Sequence, residues 1–189
     1  MSKFQKGLSL IELMVSIAIS TLLILGVTEL FTRTSASDRA NTELARMQES
    51  GRLALEIIGQ DARRAGYQGC VSADTETPLP EGGTLPDDAI SSSSASTVTF
   101  RYATPSSGCG TVPVNFEPAI TYTSANNTIS RNNDPILDNA TMQVSFIPPG
   151  SALLAKAMNV QITVSDSRQG TEDLTARTFS ATYELRNRL

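Results

Sequence analysis

The sequence predicts an α+β chain, in which one long amino-terminal helix packs on an antiparallel β-sheet head. Three observations predict it. Residues 8–27 read LSLIELMVSIAISTLLILGV, an almost unbroken apolar run. Small and apolar side chains then recur at three- and four-residue steps from Leu44 to Ala65. From residue 97 the pattern changes to alternation, the period of a half-buried strand. The expected organisation is a short basic segment (1–7), a helix (8–66, of which 8–27 crosses a membrane), an irregular connection (67–96) and a β-sheet head (97–189).

The apolar run holds about 20 residues, or roughly 30 Å as a helix, enough to cross a hydrocarbon core. Lys3 and Lys6 precede it, so the positive-inside rule leaves the amino terminus cytoplasmic and the bulk of the chain outside. Thr28, Glu29 and Leu30 follow the run instead of a small-residue cleavage site, so the segment is expected to be kept. Within it stands an acid, Glu12. A carboxylate in the bilayer costs about 2.5–3.5 kcal/mol on insertion scales, which calls for a functional reason. The plainer alternative is an interfacial acid favoured by the helix dipole. Ser16 and Ser20, four apart, either let helices approach closely or bond their own backbone.

Beyond Phe31 the apolar residues narrow to one stripe: Leu44, Met47, Gly51, Ala54, Ile58, Ala62 and Ala65, widened by Leu55. The opposite face carries Arg39 with Glu43 and Arg52 with Glu56 at helical spacing, a solvated face. Gly66 suits the helix end. Gly51 and Gly59 lie inside the helix, where each costs about 1 kcal/mol relative to alanine. Close packing against a sheet explains them, and so does a soft point in the helix.

The connection holds Pro78, Pro80, Pro86 and the run Ser91 to Ser94, and reads as irregular. In the head, Val98, Phe100 and Tyr102 share one strand face. "AITYTSANNTISR" predicts a hairpin turning at Asn126–Asn127. Val144 with Phe146, then Val160, Ile162 and Val164, and lastly Phe179, Tyr183 and Leu185 mark further strands. An antiparallel sheet with one wet face fits, its dry face covered by the amphipathic half of the helix.

The composition excludes several functions. Fifteen basic residues stand against nineteen acidic ones, a net charge of −4. Without Lys3 and Lys6 the balance is −6, so broad electrostatic binding of nucleic acid is not expected. Histidine is absent, removing the commonest general base and metal ligand. No cofactor is expected. The two cysteines, Cys70 and Cys109, are too few for a four-cysteine zinc site. Their even number in an exported chain suggests one disulfide, the alternative being two reduced thiols in separate pockets. A bridge closing a loop of about forty residues contributes roughly 4 kcal/mol in the chain-entropy view.

Other candidates are explained without chemistry. "RNNDPILDN" clusters Asn132, Asn133, Asp134, Asp138 and Asn139, oxygen ligands that calcium accepts, but it lacks EF-hand spacing, and turn formation accounts for it. Ser151 and Lys156 are the residue types of a nucleophile–base pair, with nothing to indicate a buried lysine or an oxyanion hole. Arg186 and Arg188 suit surface pairs. No enzyme emerges.

A basic leader ending in Gly7, followed by a hydrophobic helix with Glu12 as its fifth residue, resembles a type IV prepilin. "LARMQESGRLALEIIGQDARRAGYQGC" and "RTFSATYELRNRL" are similar to the W-type (PilW-like) minor pilins. Leader and both segments cover under half of the chain. The resemblance implies cleavage by the prepilin peptidase between Gly7 and Leu8, and methylation of the new amino terminus at Leu8. Leu8 stands where phenylalanine is commonest in the family. Glu12 would pair with the terminal amine of a neighbouring subunit. The family's frequent proline near Glu29 is missing, so an unkinked helix is expected. The implied role is a structural subunit that primes pilus assembly at the tip, serving twitching motility, adhesion or DNA uptake. Its partners would be other minor pilins, the major pilin and the inner-membrane assembly platform. It would sit in the inner membrane with a periplasmic head, then reach the pilus and the cell surface. A pseudopilin of type II secretion shares the same leader chemistry, and a pilus module that grips DNA or a surface is a further alternative.

Overall fold

The computed structural model describes residues 9–71, 76–80, 82–105, 114–166 and 176–187. The chain divides into two units, residues 1–44 and 45–189, and one helix, α1 (Leu10–Arg64), contributes to both. Its start is fixed by the Ser9 carbonyl, which accepts the Glu12 and Leu13 amides at 3.1 and 3.2 Å. No proline interrupts its 55 residues.

In the first unit the helix buries nothing. Leu10, Ile11, Leu22, Leu30 and Phe31 are all at least two-thirds exposed. An 18-residue window here reaches a mean hydropathy of 2.4, long and apolar enough to cross a membrane. The hydroxyls of Ser16, Thr21 and Thr28 each donate to the carbonyl four residues back, at 2.7–2.8 Å. Each polar hydrogen is thereby satisfied within the helix, which suits an environment without water. Ser16 thus takes the backbone-bonding alternative.

In the second unit the predicted stripe is buried at Met47, Gly51, Ala54, Leu55, Ile58, Ala62 and Ala65, with Gly59 buried beside it, while Leu44, in the first unit, is half-buried. Twelve strands follow among the described residues: β1 (Thr77–Pro78), β2 (Thr84–Leu85), β3 (Ile90–Ser94), β4 (Thr97–Phe100), β5 (Ala103–Pro105), β6 (Val114–Phe116), β7 (Ile120–Ala125), β8 (Thr128–Arg131), β9 (Asp134–Asp138), β10 (Ala140–Ile147), β11 (Ala157–Val164) and β12 (Arg177–Glu184). They form two principal antiparallel sheets where the sequence suggests one. The first has the order β3-β4-β7-β8-β9 and the second β10-β11-β12, with β1-β2 and β5-β6 as small ribbons.

The stretch 67–96, read from its prolines and serines as irregular, contains strand β3 and a 3₁₀ turn at Asp87–Ala89. Four successive serines carry no alternation to detect. Only Ile90 of β3 is buried, because the strand is an edge paired to β4 on one side.

The hairpins turn on asparagine. Asn126 and Asn127 take φ of 51° and 58° between β7 and β8, and Asn132 and Asn133 take 51° and 71° between β8 and β9. Both central residues of such a two-residue turn need positive φ, which asparagine tolerates. In the second sheet, cross-strand rows form the dry face: Met142–Ile162–Phe179, Val144–Val160–Ala181 and Phe146–Met158–Tyr183. On its other face Thr163 meets Thr178, and Asn159 donates to Thr182, each at 3.0 Å.

Helix α1 meets both sheets. A β-carbon on Gly51 would overlap the Phe179 ring, and one on Gly59 the Tyr183 ring. Both glycines are therefore close-packing positions. The helix ends at Gly66, with φ of 79°. There Asn187 donates from Nδ2 to the Arg63 and Ala65 carbonyls, 3.1 Å each, filling two acceptors that a helix end leaves open.

Candidate functional site

The amino-terminal site is built on the first turn of α1. Glu12 lies in that turn with its side chain exposed. Gly7 and Leu8, where cleavage and methylation are expected, lie outside the described residues. Apolar neighbours Leu10, Ile11, Leu13 and Met14 are each more than half exposed, so the acid sits in a greasy, unpartnered surface. Further along, Glu29 pairs with Arg33 at 2.7 Å on a solvated face beyond the apolar run.

Cys70 lies in the turn after α1 with its side chain exposed, and its expected partner Cys109 is outside the described residues. The asparagine and aspartate residues at 132–139 are turn and edge residues. The Asn132 Oδ1 accepts the Thr121 amide at 2.7 Å, and the Thr121 carbonyl accepts the Asn132 amide at 2.8 Å. Among the described residues no group of three metal-ligating side chains occurs. Ser151 and Lys156 are both exposed, which deprives the lysine of the burial that would activate it as a base.

A buried polar cluster that the residue pattern left unannounced joins α1 to the first sheet. Asp61, 5% exposed, accepts the Tyr122 hydroxyl at 2.5 Å and the Arg131 Nε at 3.0 Å on one oxygen. Arg131 Nε also lies 3.2 Å from the Tyr122 oxygen. Burial pushes the Tyr122 hydroxyl well above its usual range, and the Asp61 carboxylate adds to the shift. The bond to Asp61 raises the Arg131 guanidinium above its ordinary value. This is a structural lock: one carboxylate is neutralised at the helix–sheet junction. The clue lay in the stripe, for Asp61 stands three residues after Ile58 and shares its phase.

Residues 2–28 match the family model described as the prokaryotic N-terminal methylation motif. The chain's amino-terminal segment is similar to that of pilin-type and pseudopilin-type chains. No curated protein and no solved structure matches it at a significant level. The motif implies processing by a prepilin peptidase and assembly with other pilin-type subunits, which are structural proteins. Together with the exposed apolar helix, it fits a membrane-anchored pilin-like chain. The fold agrees with that class, a long amino-terminal helix packed on antiparallel sheets.

Proposed function

We propose that this pilin-like chain is a minor pilin of a type IV pilus, of the W type, acting in the complex that primes assembly and caps the tip. The observation that carries the reading is the division of one helix between two solvents. The large side chains of its apolar first part are each more than half exposed and it bears a single acid in its first turn, while one stripe of its second part is buried against the head.

On this reading the peptidase cuts between Gly7 and Leu8, Leu8 is methylated, and the head lies in the periplasm. The new amine at Leu8 and the Glu12 carboxylate are then opposite charges four residues apart in sequence. Each offsets the desolvation of the same pair on a neighbouring subunit as the helix leaves the bilayer. Cys70 and Cys109 form a disulfide once the head reaches an oxidising compartment.

Replacing Glu12 with alanine leaves membrane insertion intact but weakens co-purification with other pilins. Unchanged co-purification and normal piliation in that variant would overturn the assigned role. A pseudopilin of type II secretion is the second reading, since the methylation motif serves both machines. Deleting the gene separates them: surface filaments disappear in the first case, exported enzymes in the second.

A further inference from the structure

Helix α1 is continuous over 55 residues, yet its parts are held by different means. The apolar run up to Phe31 suits a bilayer, and from Met47 onward one stripe is buried against the head. Between them lie residues 32–42, TRTSASDRANT. None of these is buried: Ser35, Ala36 and Ala40 are half-buried and the others are exposed. The segment holds no apolar side chain larger than alanine.

Composition separates this stretch from both neighbours. Seven of its residues are Ser, Thr, Asp or Asn, whose side chains compete for the backbone in other conformations and so disfavour a helix. The docked part, ELARMQESGRLALEIIGQDARR (43–64), is by contrast built largely from strong helix formers. The Thr32 hydroxyl donates to the Glu29 carbonyl at 2.9 Å, and the Thr42 hydroxyl to the Asp38 carbonyl at 2.8 Å. Bonds of this kind slightly destabilise and bend a helix. The ion pair of Glu29 with Arg33 is exposed on both sides, and such pairs contribute little. Most helical stability in proteins comes from packing, and propensity supplies the remainder. Residues 32–42 have little of either.

We propose that residues 32–42 are an opening link, which exchanges between helix and extended chain while both flanks stay helical. The bilayer holds one flank and the sheets hold the other, so the segment opens without releasing either. The apolar run does not take part, because without water each of its backbone bonds has no substitute. As a helix the link spans about 17 Å at 1.5 Å per residue. Drawn out it reaches at most about 40 Å. The chain between the apolar run and the docked half is therefore variable in length.

The test is hydrogen–deuterium exchange of the full chain in detergent micelles, read by mass spectrometry of its peptides. The expected result is exchange across 36–42 at least a hundredfold faster than across 50–60 and across 16–27. Changing Thr34, Ser35, Ser37 and Asn41 together to alanine slows the link at least tenfold and leaves 50–60 unaltered. None of the four is buried, so the fold survives the change. Ser37→Pro, the second variant, speeds exchange in the link and leaves the denaturant midpoint of the head unchanged. Equal protection along α1, fastest exchange within 16–27, or an alanine variant that exchanges like the wild type overturns the proposal. So does a lower midpoint in Ser37→Pro, because opening would then spread into the docked half. Exchange is read whether or not the leader is cut, so an intact amino terminus and a protected link are separately readable failures.

Discussion

The ring of Tyr183 occupies the space that Gly59 leaves open on helix α1, and its hydroxyl donates to the Leu55 carbonyl one turn earlier at 2.6 Å. A single side chain from the last strand thus both fills a notch in the helix and bonds its backbone. Arg63 extends over the same ring, 6.0 Å from its centroid. A notch of this kind needs a residue without a β-carbon.

Gly59→Ala therefore displaces the ring and breaks its bond to Leu55. Overpacking of this kind costs about 1–3 kcal/mol, of which about 1 kcal/mol is returned by helix propensity. Gly26→Ala meets nothing within 4 Å and leaves the head unaffected. Denaturant midpoints of the two full-length variants in detergent check the contrast. A stabilised Gly59→Ala head would refute the notch.

Asp61→Ala removes the shared acceptor of Tyr122 and Arg131 while leaving both donors in place. A buried unsatisfied donor and a lost charged hydrogen bond destabilise by about 2–3 kcal/mol, the value kept modest because Arg131 is partly exposed. Tyr122→Phe, which removes one donor and no charge, costs less. Equal midpoints for wild type and Asp61→Ala would show that the cluster contributes nothing.

Alkaline pH loosens the head through the same tyrosines. Burial pushes the Tyr183 hydroxyl up to about 12 from 10.0, with the nearby Glu56 charge adding to it, and Tyr122 is raised further. Unfolded tyrosines ionise first, so the unfolded state binds fewer protons than the native one above pH 10. Stability is fully present below that value and falls as pH rises through the range ending near 12 for Tyr183. Chemical denaturation at stepped pH measures the slope, and Tyr183→Phe makes it shallower.

Cys109→Ser tests the proposed pairing with Cys70. Loss of a bridge across about forty residues removes roughly 4 kcal/mol in the chain-entropy view. Thiol labelling of the unreduced, denatured chain finds no free cysteine in the wild type and one in the variant. Two labelled thiols in the wild type would exclude the bridge.

Much of this architecture is legible in the residues. The stripe from Met47 to Ala62 has the helical period, and each member is buried. The pair Asn126–Asn127 announces its hairpin because few residue types accept positive φ twice in succession. Strand β3 was not legible, since an edge with one buried side chain needs no pattern. The Asp61 cluster was hidden for a different reason. Tyr122 and Arg131 lie 61 and 70 residues from the aspartate, and no local rule connects them. The division into two sheets was equally unannounced, since the amides of Ala140, Met142 and Val144 turn back to Asn127, Ser124 and Ala95, 13, 18 and 49 residues earlier, and no local pattern marks those pairings.

The bonds from Tyr183 and Asn187 to α1 close loops of more than 120 residues. Contacts of such sequence separation form slowly, because the loop entropy is spent before the contact repays it. Seating of the last strand against the helix is thereby expected to be a late event in the folding of the head.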